Sequence, residues 1–280
     1  SEPLRRIRVK RRVWVRGRGL FEKISHDERM ACVDHHCSGK LTNEKTDSMP
    51  RPEMSEVIST AQRKLNAALH ESDNNFGNRG DGAGLARALP KALKRMNEFG
   101  ICNSVLDYGT GKGALVRRLG AELGDLMSVR GYDPAMSEFS TKPSDPSDVL
   151  LCLDVLEHIE MGSIDAVLRD IHGLTRQFCY LVIDLQPAVK KLADGRNAHI
   201  LLAPSEWWVN RVAQLFSCQT SFPIMHIAGE PQKLVIAACH SPKTLPYMYG
   251  FLTKLRIFDM ALTGGILDGM VQLKKENTSQ

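Results

Sequence analysis

The chain of 280 residues holds no apolar run near the roughly 18–20 residues that a membrane-spanning helix needs, so a transmembrane function is excluded. Its first residues are arginine-rich and lack an apolar core, which does not make a secretory signal. Cysteine is sparse: seven residues, an odd number, in a chain long enough to build its own core. That predicts a reducing, cytoplasmic setting with no disulfide framework. Charge of one sign is missing from most of the chain. The net charge is +5, yet residues 1–20 hold eight Lys or Arg against one Glu, which leaves 29 basic and 31 acidic residues in the rest. A near-neutral globule with a basic arm follows, and only that arm seeks an anionic partner. With 42% apolar and 25% charged residues, bulk disorder is excluded too.

Within the arm, Ile7, Val9, Val13 and Val15 alternate with Arg8, Lys10, Arg12, Trp14 and Arg16, the period of a strand with one basic face. Two readings stay open. Residues 5–18 track the phosphates of RNA or another anionic partner, with Trp14 stacking on a base, or they form an edge strand kept soluble by its charge. Cys32, His35, His36 and Cys37 offer four metal ligands, but adjacent His36 and Cys37 cannot easily bind one ion. The cluster reads as incidental, and no metal is expected.

Residues 21–100 read as a loop-rich and helical extension that should lid the site of the next domain. Met54, Val57, Ile58, Ala61, Leu65, Ala68 and Leu69 recur at helical spacing, which predicts an amphipathic helix over 53–70. A polar, glycine-rich loop over 71–84 follows, then a helix with Pro90 in its first turn that ends at Gly100.

From residue 101 strands and helices alternate. Residues 104–107, 127–132, 148–154 and 178–185 are apolar strands, separated by helices after Gly113 and after Ser163. A further helix opens at Pro204-Ser205, on which Trp207 and Trp208 cannot share one face and read as packing residues. Residues 221–227 and 233–239 should pair as an antiparallel hairpin. The fold class is therefore α/β: a mostly parallel sheet, covered on both faces, with one reversed edge strand supplied by the last hairpin. The expected divisions are a basic arm at 1–20, the extension at 21–100, a core at 101–240 and a helical appendage at 241–280.

The loop after the first strand carries the strongest signal. Gly109, Gly111 and Gly113 let the backbone turn tightly and approach a ligand. Asp107 precedes them, and Asp133 stands at the tip of the second strand, where an acid suits the ribose hydroxyls of a nucleoside. No Gly-Lys-Ser/Thr follows, so a phosphate-cradling loop is disfavoured. A nicotinamide-dependent oxidoreductase is also disfavoured, because its fingerprint spaces the last two glycines more widely.

LDYGTGKGAL at 106–115, GYDPA at 131–135 and DVLLCLDVLEHIE at 148–160 together resemble the class I S-adenosylmethionine-dependent methyltransferases, over roughly residues 101–240. The resemblance implies a Rossmann-like sheet whose terminal hairpin inserts the reversed strand. It implies S-adenosyl-L-methionine as cofactor, held by Asp107, Gly109, Thr110, Gly111 and Gly113 at the methionine portion and by Asp133 and Pro134 at the ribose. Asp154, Val155 and Leu156, followed by Glu157 and His158, would line the pocket for cofactor and acceptor. Residues 194–199, with Trp207 and Trp208 beyond, also resemble bacteriophage-encoded members, which would place the protein in a host cytoplasm. The chain departs from the family between residues 136 and 147, which are too few for the usual helix, strand and loop. The third strand is expected to be missing or rudimentary, and the adenine contact is left to the 144–147 region. The motifs of amino-methylating and cytosine-C5 DNA enzymes are absent, so DNA-base methylation is disfavoured.

Methyl transfer needs an aligned acceptor and at times a base near neutral pKa, for which histidine is suited. His158 and His199, with Asp194 beside Arg196, are the candidate catalytic residues, both histidines lying at the carboxyl edge of the sheet. The acceptor class expected is a small molecule, sugar or nucleotide methylated on oxygen or nitrogen. RNA, or a non-catalytic role in a larger assembly, is the alternative.

Overall fold

A computed structural model describes residues 57–78, 84–225 and 230–255. The basic arm, the Cys32–Cys37 cluster and the end of the C-terminal appendage lie outside the described residues.

Six strands form one sheet: β1 (Ser104–Tyr108), β2 (Ser128–Tyr132), β3 (Ser147–Leu153), β4 (Thr175–Asp184), β5 (Cys218–Met225) and β6 (Pro231–Cys239), in the order β2-β1-β3-β4-β6-β5. Strands β2, β1, β3 and β4 run parallel, and β6 is antiparallel to both its neighbours. The reversed strand is thus the last in sequence, as predicted. It lies one place in from the rim, which β5 occupies. Between β2 and β3 there is a single 3-10 turn, Ser137–Phe139, and no strand, as the short spacing predicted.

The central strands alternate their side chains between two cores. Val105, Val149, Leu151, Phe178, Tyr180, Val235 and Ala237 face one, while Leu106, Leu150, Cys152, Cys179, Leu181 and Ile236 face the other. Burial on both faces explains why β3 reads as a continuous apolar run. Helices α2 (Leu89–Glu98), α3 (Ala114–Leu123) and α6 (Leu245–Lys254) cover the first face, and α4 (Ile164–Leu174) and α5 (Ser205–Ala213) the second. Pro90 sits in the first turn of α2, where a missing N–H costs nothing. Phe99, just past α2, meets the Tyr247 ring of α6 at 6.2 Å, so elements from both ends of the described chain pack together.

The N-terminal helix α1 (Thr60–Ser72) departs from its expected face. It starts late because Ser59 caps it, accepting a hydrogen bond from Gln62 N at 3.1 Å. Ala61 is exposed and Leu65 only half-buried, while Gln62, Asn66 and His70 are buried. The side turned inward is polar because it borders a cavity rather than a core. Leu69 joins Leu192 and Ala198 in a small separate cluster that ties α1 to the 187–200 loop. No helix among the described residues is long and apolar enough to cross a membrane.

Candidate active site

The carboxyl ends of β1, β2, β3 and β4 open into a cavity of about 430 Å³, roofed by α1 and the loop after it. That is where open α/β sheets bind ligands, and the volume lies within the range of small-molecule pockets.

The glycine loop borders this cavity. Gly109, Gly111 and Gly113 have φ of 79°, 54° and 72°, the left-handed region that a Cβ penalises. Gly109, Thr110 and Gly111 line the cavity; Gly113 lies behind them, capping α3. Asp107 and Asp133 line it as well, both buried. Thr110 Oγ1 donates to Asp107 at 2.7 Å. Asp133 accepts from Gly111 N and from Ala135 N, each at 2.9 Å, so two backbone amides orient its carboxylate. Burial pushes Asp107 up to about 7, with the Thr110 hydrogen bond pulling the other way. Asp133 is likewise raised by burial. Pro134 and Ala135 also line the cavity, whereas residues 144–147, where an adenine contact was expected, do not.

The segment after β3 borders the cavity as well. Asp154 has φ of 52°, unusual for a residue with a side chain, and a strained residue at a strand's carboxyl end is a mark of a site. Lys233, from β6, donates to Asp154 and to Asp184 at 2.9 Å each. Asp154, Val155 and His158 line the cavity; Leu156 and Glu157 are fully buried beneath it. Glu157 Oε1 accepts from Asp184 N at 3.1 Å, Oε2 is buried without a hydrogen-bond partner, and burial pushes this carboxyl up to about 7. His158 and His199 meet edge to face at 4.8 Å between ring centroids. Each ring donates from Nδ1 to a backbone carbonyl, His158 to Ala198 O at 2.7 Å and His199 to Gln186 O at 2.5 Å.

Asp194, a candidate catalytic group from its sequence neighbourhood, is placed elsewhere. It is exposed and outside the cavity lining, and Arg196 Nε donates to it at 2.7 Å. That hydrogen bond holds its carboxyl below the ordinary carboxylate range. The Asp-Gly-Arg turn binds its own side chains, and of the polar cluster only Ala198 and His199 reach the cavity. Trp207 and Trp208 pack in the second core.

The sequence led to an expected lid from residues 21–100 but did not single out the side chains that form it. Asn66, His70 and Phe76 line the cavity, and the Phe76 ring lies 4.6 Å from His70 and 5.3 Å from His158. Burial lowers the pKa of His70 even with Asp133 nearby. The signal was present: Gln62, Asn66 and His70 recur every fourth residue, a polar stripe at helical spacing.

The donor set of this arrangement fits S-adenosylmethionine. Two buried carboxylates beside a close-approach glycine loop suit a ligand carrying ribose hydroxyls and positive charge, and the apolar Ile58 and Leu115 border the same space.

A family model described as a methyltransferase domain matches residues 73–220. No curated protein matches the chain. Among solved structures it is similar to an O-methyltransferase family protein from Burkholderia thailandensis, at 14% identity over 65% of this chain and 60% of that one, with a TM-score of 0.40. The chain thus spans about three-fifths of that protein's length. It is also similar to a 1,6-didemethyltoxoflavin-N1-methyltransferase from Burkholderia thailandensis, at 14% identity over 63% and 86%, TM-score 0.43. A SAM dependent methyltransferase from Archaeoglobus fulgidus is 15% identical over 59% and 97%, TM-score 0.39.

Proposed function

The chain belongs to the methyltransferase-domain family, and from that premise we propose that it methylates an oxygen or nitrogen of a small-molecule, sugar or nucleotide acceptor. The family uses S-adenosylmethionine, which when bound supplies a methyl group on a positively charged sulfur. One observation carries the reading: the glycine loop with Asp107 and Asp133, and the His158–His199 pair, line one and the same cavity.

In this reading Asp133 holds the ribose hydroxyls, its orientation preset by the Gly111 and Ala135 amides. Asp107, ionised next to a cationic ligand, fixes the methionine end together with the Gly109–Gly111 backbone. Val155 and Ile58 exclude water, which strengthens these polar contacts. Phe76 and Asn66 close the cavity from above, so that residues 57–78 act as its lid over the 101–240 core. At the acceptor end His158 and His199 face the acceptor atom. The backbone carbonyls on their Nδ1 atoms leave the lone pair of each neutral ring on Nε2, the tautomer that accepts a proton or holds a cation.

Calorimetric titration of the purified chain with S-adenosylmethionine and with NADH tests the class. Micromolar binding of the first and none of the second is expected. A screen of hydroxyl and amine acceptors with methyl-labelled cofactor then reads the substrate. Binding of neither ligand overturns the proposal.

A further inference from the structure

The geometry points to a site for a divalent first-row transition cation at the acceptor end of the cavity, with Glu157, His158 and His199 as its ligands. One ligand atom from each lies within 4.8 Å of the others. Donor–ion bonds of about 2.1 Å hold tetrahedral donors about 3.4 Å apart, so the widest of these separations shortens by side-chain rotation when the ion enters.

Three further observations bear on this cluster. Glu157 is fully buried, and its Oε2 has no hydrogen-bond partner. A buried carboxylate oxygen without a donor is costly, and a cation supplies what is missing. The two imidazoles are also held as metal-ligating histidines are held. Each donates its Nδ1–H to a backbone carbonyl, Ala198 O or Gln186 O, which turns the Nε2 lone pair away from the backbone. Finally, the ammonium nearby is engaged by other carboxylates. Asp154, Glu157 and Asp184 lie together, and the Lys233 ammonium bridges the two aspartates without bonding to Glu157 Oε2.

One carboxylate and two imidazoles suit borderline ions such as Mn²⁺, Fe²⁺, Co²⁺ or Zn²⁺ better than Mg²⁺ or Ca²⁺, which favour oxygen throughout. Three protein ligands leave coordination positions open, and His158 and His199 border the cavity. The role of the ion rests on the methyl-transfer reading. An acceptor hydroxyl that ligates the ion gives its proton to solvent more easily. Its oxygen lone pair then forms the O–CH₃ bond while the electron pair of the breaking S–CH₃ bond returns to sulfur. The acceptor atom is thereby assigned as a hydroxyl oxygen.

The test is a Mn²⁺ titration of the chelator-stripped full chain at pH 7.5, read by loss of the free-ion electron paramagnetic resonance signal. One Mn²⁺ per chain is expected, displaced by Zn²⁺, with affinity weakened at least about tenfold in His199→Ala and Glu157→Gln. His199 lies in a loop and its replacement keeps the test valid should the buried Glu157 variant not fold. Failure to saturate up to millimolar Mn²⁺, or equal binding by both folded variants, overturns the site. Calorimetry with S-adenosylhomocysteine on the same samples separates the two proposals. Mn²⁺ binding without nucleoside binding upholds the cation site and overturns methyl transfer; the converse upholds methyl transfer and overturns the site.

Discussion

Gly77 and Gly111 lie backbone against backbone: a Cβ built on Gly111 would stand 2.6 Å from Gly77 O. The contact is reinforced by Lys112, whose N–H donates to Gly77 O at 2.9 Å and whose Nζ donates to Asp73 O at 2.7 Å. The roof is therefore fastened directly to the glycine loop it covers. Gly111→Ala combines that clash with an unfavourable φ of 54°. S-adenosylmethionine affinity should fall more than tenfold in a calorimetric titration, with a lower melting temperature. Unchanged affinity would show that the roof is not needed for cofactor binding.

Asp133→Ala should weaken the cofactor by roughly 10–100-fold, the loss expected for charged hydrogen bonds to two hydroxyls, while the KM for an acceptor changes little. Asp133→Asn keeps an acceptor for one of the two backbone amides and should lose less. Equal losses for cofactor and acceptor would remove Asp133 from the ribose role.

Cofactor binding should depend on pH through Asp107, which burial raises to about 7. A cationic ligand favours the carboxylate, so affinity should rise between pH 6 and pH 8, by no more than about tenfold per pH unit, and level off above. The sign for stability is opposite. A raised carboxyl disfavours the ionised folded state, so the unliganded protein loses stability as pH rises from about 4 to about 7 and levels off above. Asp107→Asn should flatten both profiles in calorimetry and thermal melts.

The adjacent tryptophans should behave differently. Trp208 is fully buried, whereas Trp207 is half-exposed under the Arg211 guanidinium, 3.9 Å from its ring centroid. Trp208→Ala should cost about 3–5 kcal/mol and Trp207→Ala about 1 kcal/mol or less, read from denaturant unfolding. Trp208→Phe, which removes a buried indole N–H that lacks a partner, should be milder than Trp208→Ala.

The polar face of α1 shows where sequence reading stops. Ala61, Leu65 and Leu69 marked an apolar face by spacing alone, and spacing cannot say whether the neighbour is a core or a cavity. Asn66 and His70 are buried because the cavity lies beside them. Asp194 fails in the other direction: near His199 in sequence, it turns outward because Arg196, two residues on, binds it first.

By itself the sequence determined the order of strands and helices, the glycine loop with Asp107 and Asp133, the reversed final strand and the missing strand before β3. Those features rest on local causes: a two-residue or 3.6-residue period, φ values open to glycine, and a spacing too short for a further element. Only the tertiary structure decided which α1 side chains roof the cavity, that Lys233 joins Asp154 to Asp184, and that Glu157 and His158 meet His199. Those groups stand tens of residues apart or more. Burial, charge and carbonyl partners act between them only once the sheet has brought its carboxyl ends together.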